Sequence, residues 1–177
     1  AMGKRLKLLL DNEINLVAYH LPLDANPKFG NNAQLANSLG LVKVDFDFGH
    51  YHGTPIGCLG MLGQAQDRRD LLAKLSEPLG ASPELFPFGP EVVSKVGVVS
   101  GGAGDIPMLL EAAERGCQVF VTGNVFEQSV AVAREIGINV VTIGPYNSEK
   151  LGVRAVGDDL SERFGIEVLH MDVPNPV

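Results

Sequence analysis

Val96-Gly97-Val98-Val99-Ser100, Gln118-Val119-Phe120-Val121-Thr122 and Asn139-Val140-Val141-Thr142-Ile143 are the three short runs that decide how this chain is read. Each is apolar on both faces, and helix-like stretches, Ile106 to Arg115 and Val125 to Ile136, separate one from the next. Val-rich runs alternating with helices predict a largely parallel sheet covered by helices, an α/β fold. Ser148 to Phe164 continues with another helix, and Glu167 to Met171 reads as a last strand. Gly116, Gly137 and Gly165 stand where three of these helices should stop, since a helix commonly closes on a left-handed residue.

Toward the N-terminus the pattern is less regular. Ala1-Met2-Gly3 reads as a cloning scar or a start inside a longer gene, and Lys4 to Asn12 as a one-sided helix. Ile14 to His20 reads as a buried strand, followed by a Pro- and Gly-rich loop and a helix through Ala33 to Leu39, with Asn31 or Asn32 as its cap. Leu41 to Phe48 alternates as a half-wet strand, Gly49 to Gly57 is turn-rich, and Ile56 to Leu62 is the returning partner. Gln66 to Leu79 is an amphipathic helix, and Pro78 to Pro90, with four prolines and two glycines, is the best place for a boundary. No repeat of fixed period and no low-complexity tract occurs.

The chain has 177 residues, 45% hydrophobic and 20% charged, enough to bury a core and too apolar for disorder. No apolar run reaches the roughly 20 residues a membrane helix needs, and no secretory signal is evident. Cys58 and Cys117, far apart and without a CxxC motif, suit a reducing cytoplasm. A formal charge of −7 argues against a general nucleic-acid surface.

Four places could carry chemistry. Ser100-Gly101-Gly102-Ala103-Gly104-Asp105 joins a strand to a helix. Gly101, Gly102 and Gly104 could present amides to an anion; equally, the turn could serve only to let the helix pack close, with Asp105 as cap and Pro107 in the first turn. His20-Leu21-Pro22-Leu23-Asp24 falls at a strand's carboxyl end, where open α/β sheets place ligands. His20 and Asp24 there serve as metal ligands, as an acid/base pair, or merely as a packed imidazole and a loop-fixing carboxylate. Gly144-Pro145-Tyr146-Asn147-Ser148-Glu149 repeats that placement, with Glu149 either a cleft carboxylate or a partner of the helix dipole. Thr122-Gly123-Asn124 sits one strand over, where Asn124 could simply cap the next helix. His50-Tyr51-His52 has a chelating spacing but too sparse a ligand set, and a solvated turn accounts for it. Serine-hydrolase elbows and zincin helices are absent.

Together, Tyr19-His20-Leu21-Pro22-Leu23-Asp24, Gly30-Asn31-Asn32, Phe48-Gly49-x-Tyr51-x-Gly53, Ile56-Gly57-x-x-Gly60, Ser100-Gly101-Gly102, Val121-Thr122-Gly123, Gly144-x-x-x-x-Glu149 and Val173-Pro174-Asn175-Pro176 resemble, in order, the NIF-three-like family. Its members are often labelled dinuclear-metal-centre hexameric proteins or type-two GTP cyclohydrolase I homologues. The resemblance implies two α/β lobes: the remainder of a first lobe with its hairpin in 1–80, and a second lobe in 81–177 whose last helix and strand return to the first. It implies a divalent metal (zinc, iron, manganese or magnesium) in the cleft and a ring-shaped homo-oligomer, a hexamer or its dimer or trimer subassembly. Asp24 and Glu149 match its ligand carboxylates, His20 would be a catalytic proton shuttle, and Asn124 and Tyr146 would line the cleft. The family's other ligands are replaced or lacking: Pro145, Asn124 and Ala131 stand where it has a histidine, an acid and a histidine, and its His-His pair belongs to an N-terminal segment not in this sequence. The expectation is therefore a metal-dependent hydrolase scaffold with a degraded site, with a non-enzymatic oligomeric scaffold or interaction protein as the alternative.

Overall fold

The Val-rich runs become the inner strands of one sheet. A computed structural model, which describes residues 2–173 and 175, sets β6 (Val92–Val99), β7 (Val119–Thr122) and β8 (Asn139–Thr142) side by side and parallel. Beyond β6 lie β4 (Cys58–Asp67) and then β1 (Leu41–Asp45), both antiparallel to their neighbours; beyond β8 lies the antiparallel β5 (Glu84–Phe86). The sheet order is β1-β4-β6-β7-β8-β5, and a two-stranded hairpin, β2 (His50–Tyr51) with β3 (Thr54–Pro55), stands apart. The fold is α/β with a mixed sheet.

Alternation along the strands explains why the runs are apolar on both faces. Val96, Val98, Val119, Val121 and Val141 join one buried cluster with Leu35 and Leu39 of α3 (Asn31–Leu39) and Leu71, Leu75 and Leu79 of α4 (Asp70–Leu79). Val99, Phe120 and Val140 join a second with Leu109 and Ala112 of α5 (Ile106–Glu114) and Ala133 of α6 (Glu127–Ile136). The long α7 (Pro145–Phe164) packs beside α3 and adds Leu151 to the first cluster. Asn139, fully buried, is satisfied on both sides: Oδ1 accepts from Arg68 and from the Gly89 amide, and Nδ2 donates to the Pro90 and Gln118 carbonyls.

Residues 1–80 and 81–177, anticipated as separate lobes, contribute strands to the same sheet, and the Pro-rich stretch 78–90 carries β5. Several local expectations need correction. Ile14 to Tyr19 is not a buried strand but an exposed connection between α1 (Met2–Asp11) and α2 (His20–Asp24), with Leu16 78% exposed. Glu167 to Met171 is likewise unpaired, with Met171 84% exposed. Neither segment joins a sheet among the described residues, so apolar composition alone did not make either one a strand. Residues Gln66 to Arg69 belong to the end of β4 and a turn rather than to α4, and α7 begins at Pro145, three residues early. Gly30, not Asn31 or Asn32, precedes α3; Phe126, not Asn124, precedes α6. Asp105 does cap α5, its carboxylate accepting from the Met108 amide, and α6 and α7 end on left-handed Gly137 and Gly165. Ala1, Pro174, Pro176 and Val177 lie outside the described residues, and with them half of the terminal Val173-Pro174-Asn175-Pro176 motif. Among the described residues no helix is long and apolar enough to cross a membrane.

Candidate metal centre

The carboxyl ends of β6 and β8 lead into Ser100-Gly101-Gly102 and Gly144-Pro145, where open α/β sheets gather ligands. There α2 meets α7. Four residues apart on α2, His20 and Asp24 share a face, and Glu149 reaches them from the second turn of α7. His20 Nε2 lies 3.5 Å from Glu149 Oε1 and 3.9 Å from Asp24 Oδ2, and one donor atom of each residue falls within 4.8 Å of the others. The three line a cavity of about 260 Å³ with Leu21, Tyr51, Ile56, Ser100, Gly102, Ala103, Asp105 and Met108.

Asp24 is buried and held from behind. Its Oδ1 accepts from Asn31 Nδ2 at 2.7 Å and from Ser100 Oγ at 3.1 Å, which leaves Oδ2 facing His20. Asn31 Oδ1 in turn accepts from the Gly152 amide of α7, and Asn32 ties the Ser100 amide to the Ile56 carbonyl. This is the kind of outer support that would fix a ligating carboxylate. Ser148 joins the same frame, accepting from the Gly101 amide and donating to the Pro145 carbonyl.

The glycine loop packs rather than opens. Gly101 has φ +69°, and a Cβ there would lie 2.3 Å from Glu149 Oε1. A Cβ on Gly104 would meet the Asn124 carbonyl at 1.9 Å. With its amide donated to Ser148 Oγ and the Glu149 carboxylate against its Cα, Gly101 offers an anion neither a free N–H nor a favourable charge. Asn124 and Tyr146 line neighbouring hollows instead of the cavity holding His20: Asn124 with Gly123 and Pro145, Tyr146 with Arg154 and His170. Tyr146 donates to Asp172, and Asn124 Oδ1 is buried with no hydrogen-bond partner among the described residues.

Sequence reading missed the backing residues, because Asn31 and Asn32 looked like caps and nothing local ties Ser148 to Gly101. It also missed a second histidine–carboxylate cluster. His50 Nδ1 lies 2.9 Å from Glu111 Oε1 and its Nε2 3.1 Å from Asp47, while Glu111 accepts from the Gly49 and His50 amides. That hydrogen bond to Glu111 raises the His50 pKa above 6.5 despite the opposing effect of burial. Burial pushes Glu111 up, yet the bonds from His50 and Gly49 outweigh it and hold the carboxyl below its usual range. Both cysteines are free and buried, with burial raising Cys58 to about 12 and Cys117 to about 11, so neither is a reactive thiolate.

Comparison with known proteins matches this geometry to a lineage. Residues 1–176 match the model of the Duf34/NIF3 (NGG1p interacting factor 3) family. Proteins of Haemophilus influenzae and Pseudomonas aeruginosa, each called a GTP cyclohydrolase 1 type 2 homolog, are 38% and 40% identical over 98% of this chain and 68% and 67% of their own. Among solved structures, the ybgI protein of unknown function matches with a TM-score of 0.87 at 38% identity, covering 98% of this chain and 67% of its own. A protein of Thermus thermophilus matches with a TM-score of 0.85 at 31% identity, over 99% of this chain and 67% of its own. The chain thus spans about two thirds of the length of these relatives, and it belongs to the DUF34/NIF3 family.

Proposed function

We propose that this chain holds a divalent cation on His20, Asp24 and Glu149 and is a metal-dependent hydrolase of a small substrate. The observation that supports this reading is the convergence of one imidazole and two carboxylates within 4.8 Å on a cavity wall. Mixed nitrogen and oxygen donors suit zinc, iron or manganese better than magnesium, and three protein ligands leave positions open for water and substrate. When bound, such a cation lowers the pKa of water and polarises a substrate oxygen. The chain's own residues do the rest. Asn31 and Ser100 orient Asp24, Leu21, Ile56 and Met108 line the cavity, and His20 serves here as a ligand in place of the proton shuttle that the family resemblance implied. The names of the relatives point to cyclohydrolase-type chemistry, hydrolytic opening of a C–N bond.

A second reading has its own support. The apolar segments 14–19 and 166–173 are exposed, which favours assembly into a homo-oligomer, up to a hexamer, with or without chemistry. Chelator-washed protein titrated with Zn²⁺ or Mn²⁺ separates the two. The hydrolase reading expects about one tightly held ion per chain, lost in Asp24→Asn and in Glu149→Gln with oligomer size unchanged by light scattering. Wild-type protein that takes up no ion leaves the scaffold reading.

A further inference from the structure

We infer that this site takes the ring of a small, uncharged heteroaromatic compound, and that it does not bind a nucleoside through its phosphates. The inference deepens the metal-site reading above and rests on it for the location of the reacting atoms. Three observations carry it.

The first is size. The cavity of about 260 Å³ is smaller than the range of drug-sized pockets. That is room for a one- or two-ring compound.

The second is charge. Asp24, Asp105 and Glu149 all line the cavity, and among the described residues no lysine or arginine does. Three carboxylates outweigh one divalent cation by a full charge. A triphosphate entering here would meet repulsion where phosphate sites ordinarily offer arginine, lysine or free helix amides. The nearest helix terminus, that of α5, is already satisfied by Asp105.

The third is the wall. Leu21, Ile56, Ala103 and Met108 make one side apolar, and the half-exposed Tyr51 ring stands among them. The backbone that carries Tyr51 is tied down before any ligand arrives. It lies in the short β2–β3 hairpin, paired with Thr54, and the adjoining Gly49 and His50 amides donate to Glu111. An aromatic face on an anchored hairpin, beside apolar walls, suits a flat ring, whose edge can then reach Ser100 and the metal-ligating groups.

The test compares guanosine with GTP by calorimetry or ligand-observed NMR, on wild-type protein with and without Zn²⁺, and on Tyr51→Ala and Tyr51→Phe. The inference expects guanosine to bind at least as tightly as GTP. It expects Tyr51→Ala to weaken guanosine about tenfold, within the range of base–aromatic stacking, and Tyr51→Phe to restore it. Zn²⁺ uptake should be unchanged in both variants, since neither alters a ligand. Tighter binding of GTP than of guanosine by tenfold or more overturns the inference, as does failure of guanosine to bind at all. Wild-type protein that binds guanosine but no Zn²⁺ sinks the metal reading while sustaining the ring preference, so the two failures can be told apart.

Discussion

Two histidine–carboxylate clusters built from the same side chains behave as opposites. In the His50 cluster every group is answered. The imidazole contacts Glu111 at 2.9 Å and Asp47 at 3.1 Å, Glu111 accepts two backbone amides, and Arg115 binds Asp45 and the Asp47 carbonyl. In the His20 cluster the contacts are 3.5 and 3.9 Å, and the Asp24 oxygen facing His20 accepts no hydrogen bond among the described residues. Two acids there converge on a single exposed imidazole, an arrangement that a cation between them would stabilise. The closed cluster pins a hairpin; the open one leaves an acidic oxygen unanswered among the described residues.

The contrast can be broken most directly at Asp24. Asp24→Asn should lower Zn²⁺ affinity at least a hundredfold by calorimetry, roughly the upper end of what losing even an outer support costs a metal site, whereas His50→Gln should leave it within about twofold. Equal losses in both would erase the distinction. Next comes Glu111→Ala, which leaves the Gly49 and His50 amides without their acceptor. It should cost about 2 kcal/mol, or roughly 4–8 °C of Tm in a chain of this size, read by thermal unfolding. Gly101→Ala should cost about 1–2 kcal/mol for its positive φ. Because its Cβ would push Glu149 aside, it should weaken metal uptake as well, which a purely conformational penalty would not do.

The smallest effect is the pH dependence of the closed cluster. The folded pKa of His50 is raised, so its contribution to stability is fully present below about 6.5 and fades as pH rises through the higher folded value. Glu111 is lowered, so its contribution is present above the usual carboxylate range and fades as pH falls through the lower folded value. Stability measured from about pH 6 to 9 should decline by less than about 1 kcal/mol, since His50 is partly exposed. That decline should vanish in His50→Gln.

How legible these features were in the sequence follows from range. The β6–β7–β8 core announced itself because strands buried on both faces are locally apolar, and helices between them keep a local period. Segments 14–19 and 166–171 share that composition without its consequence, since pairing depends on chain far away in sequence. Asp24 and Glu149, far apart along the chain, were joined only through family resemblance. No local rule links His50 to Glu111 across 61 residues. The backing amides failed for a different reason: an Asn near a helix start reads as a cap, and here Asn31 and Asn32 bond across the molecule.

Asn31 sets more than one carboxylate. Its nitrogen grips Asp24 while its oxygen takes the Gly152 amide, and Gly152 lies less than one turn beyond Glu149 on α7. A single carboxamide therefore acts as a gauge block between the two acidic jaws. Were an ion held there, shifting α7 to fit a larger one would cost that amide bond, so radius as well as charge would decide which cation stays.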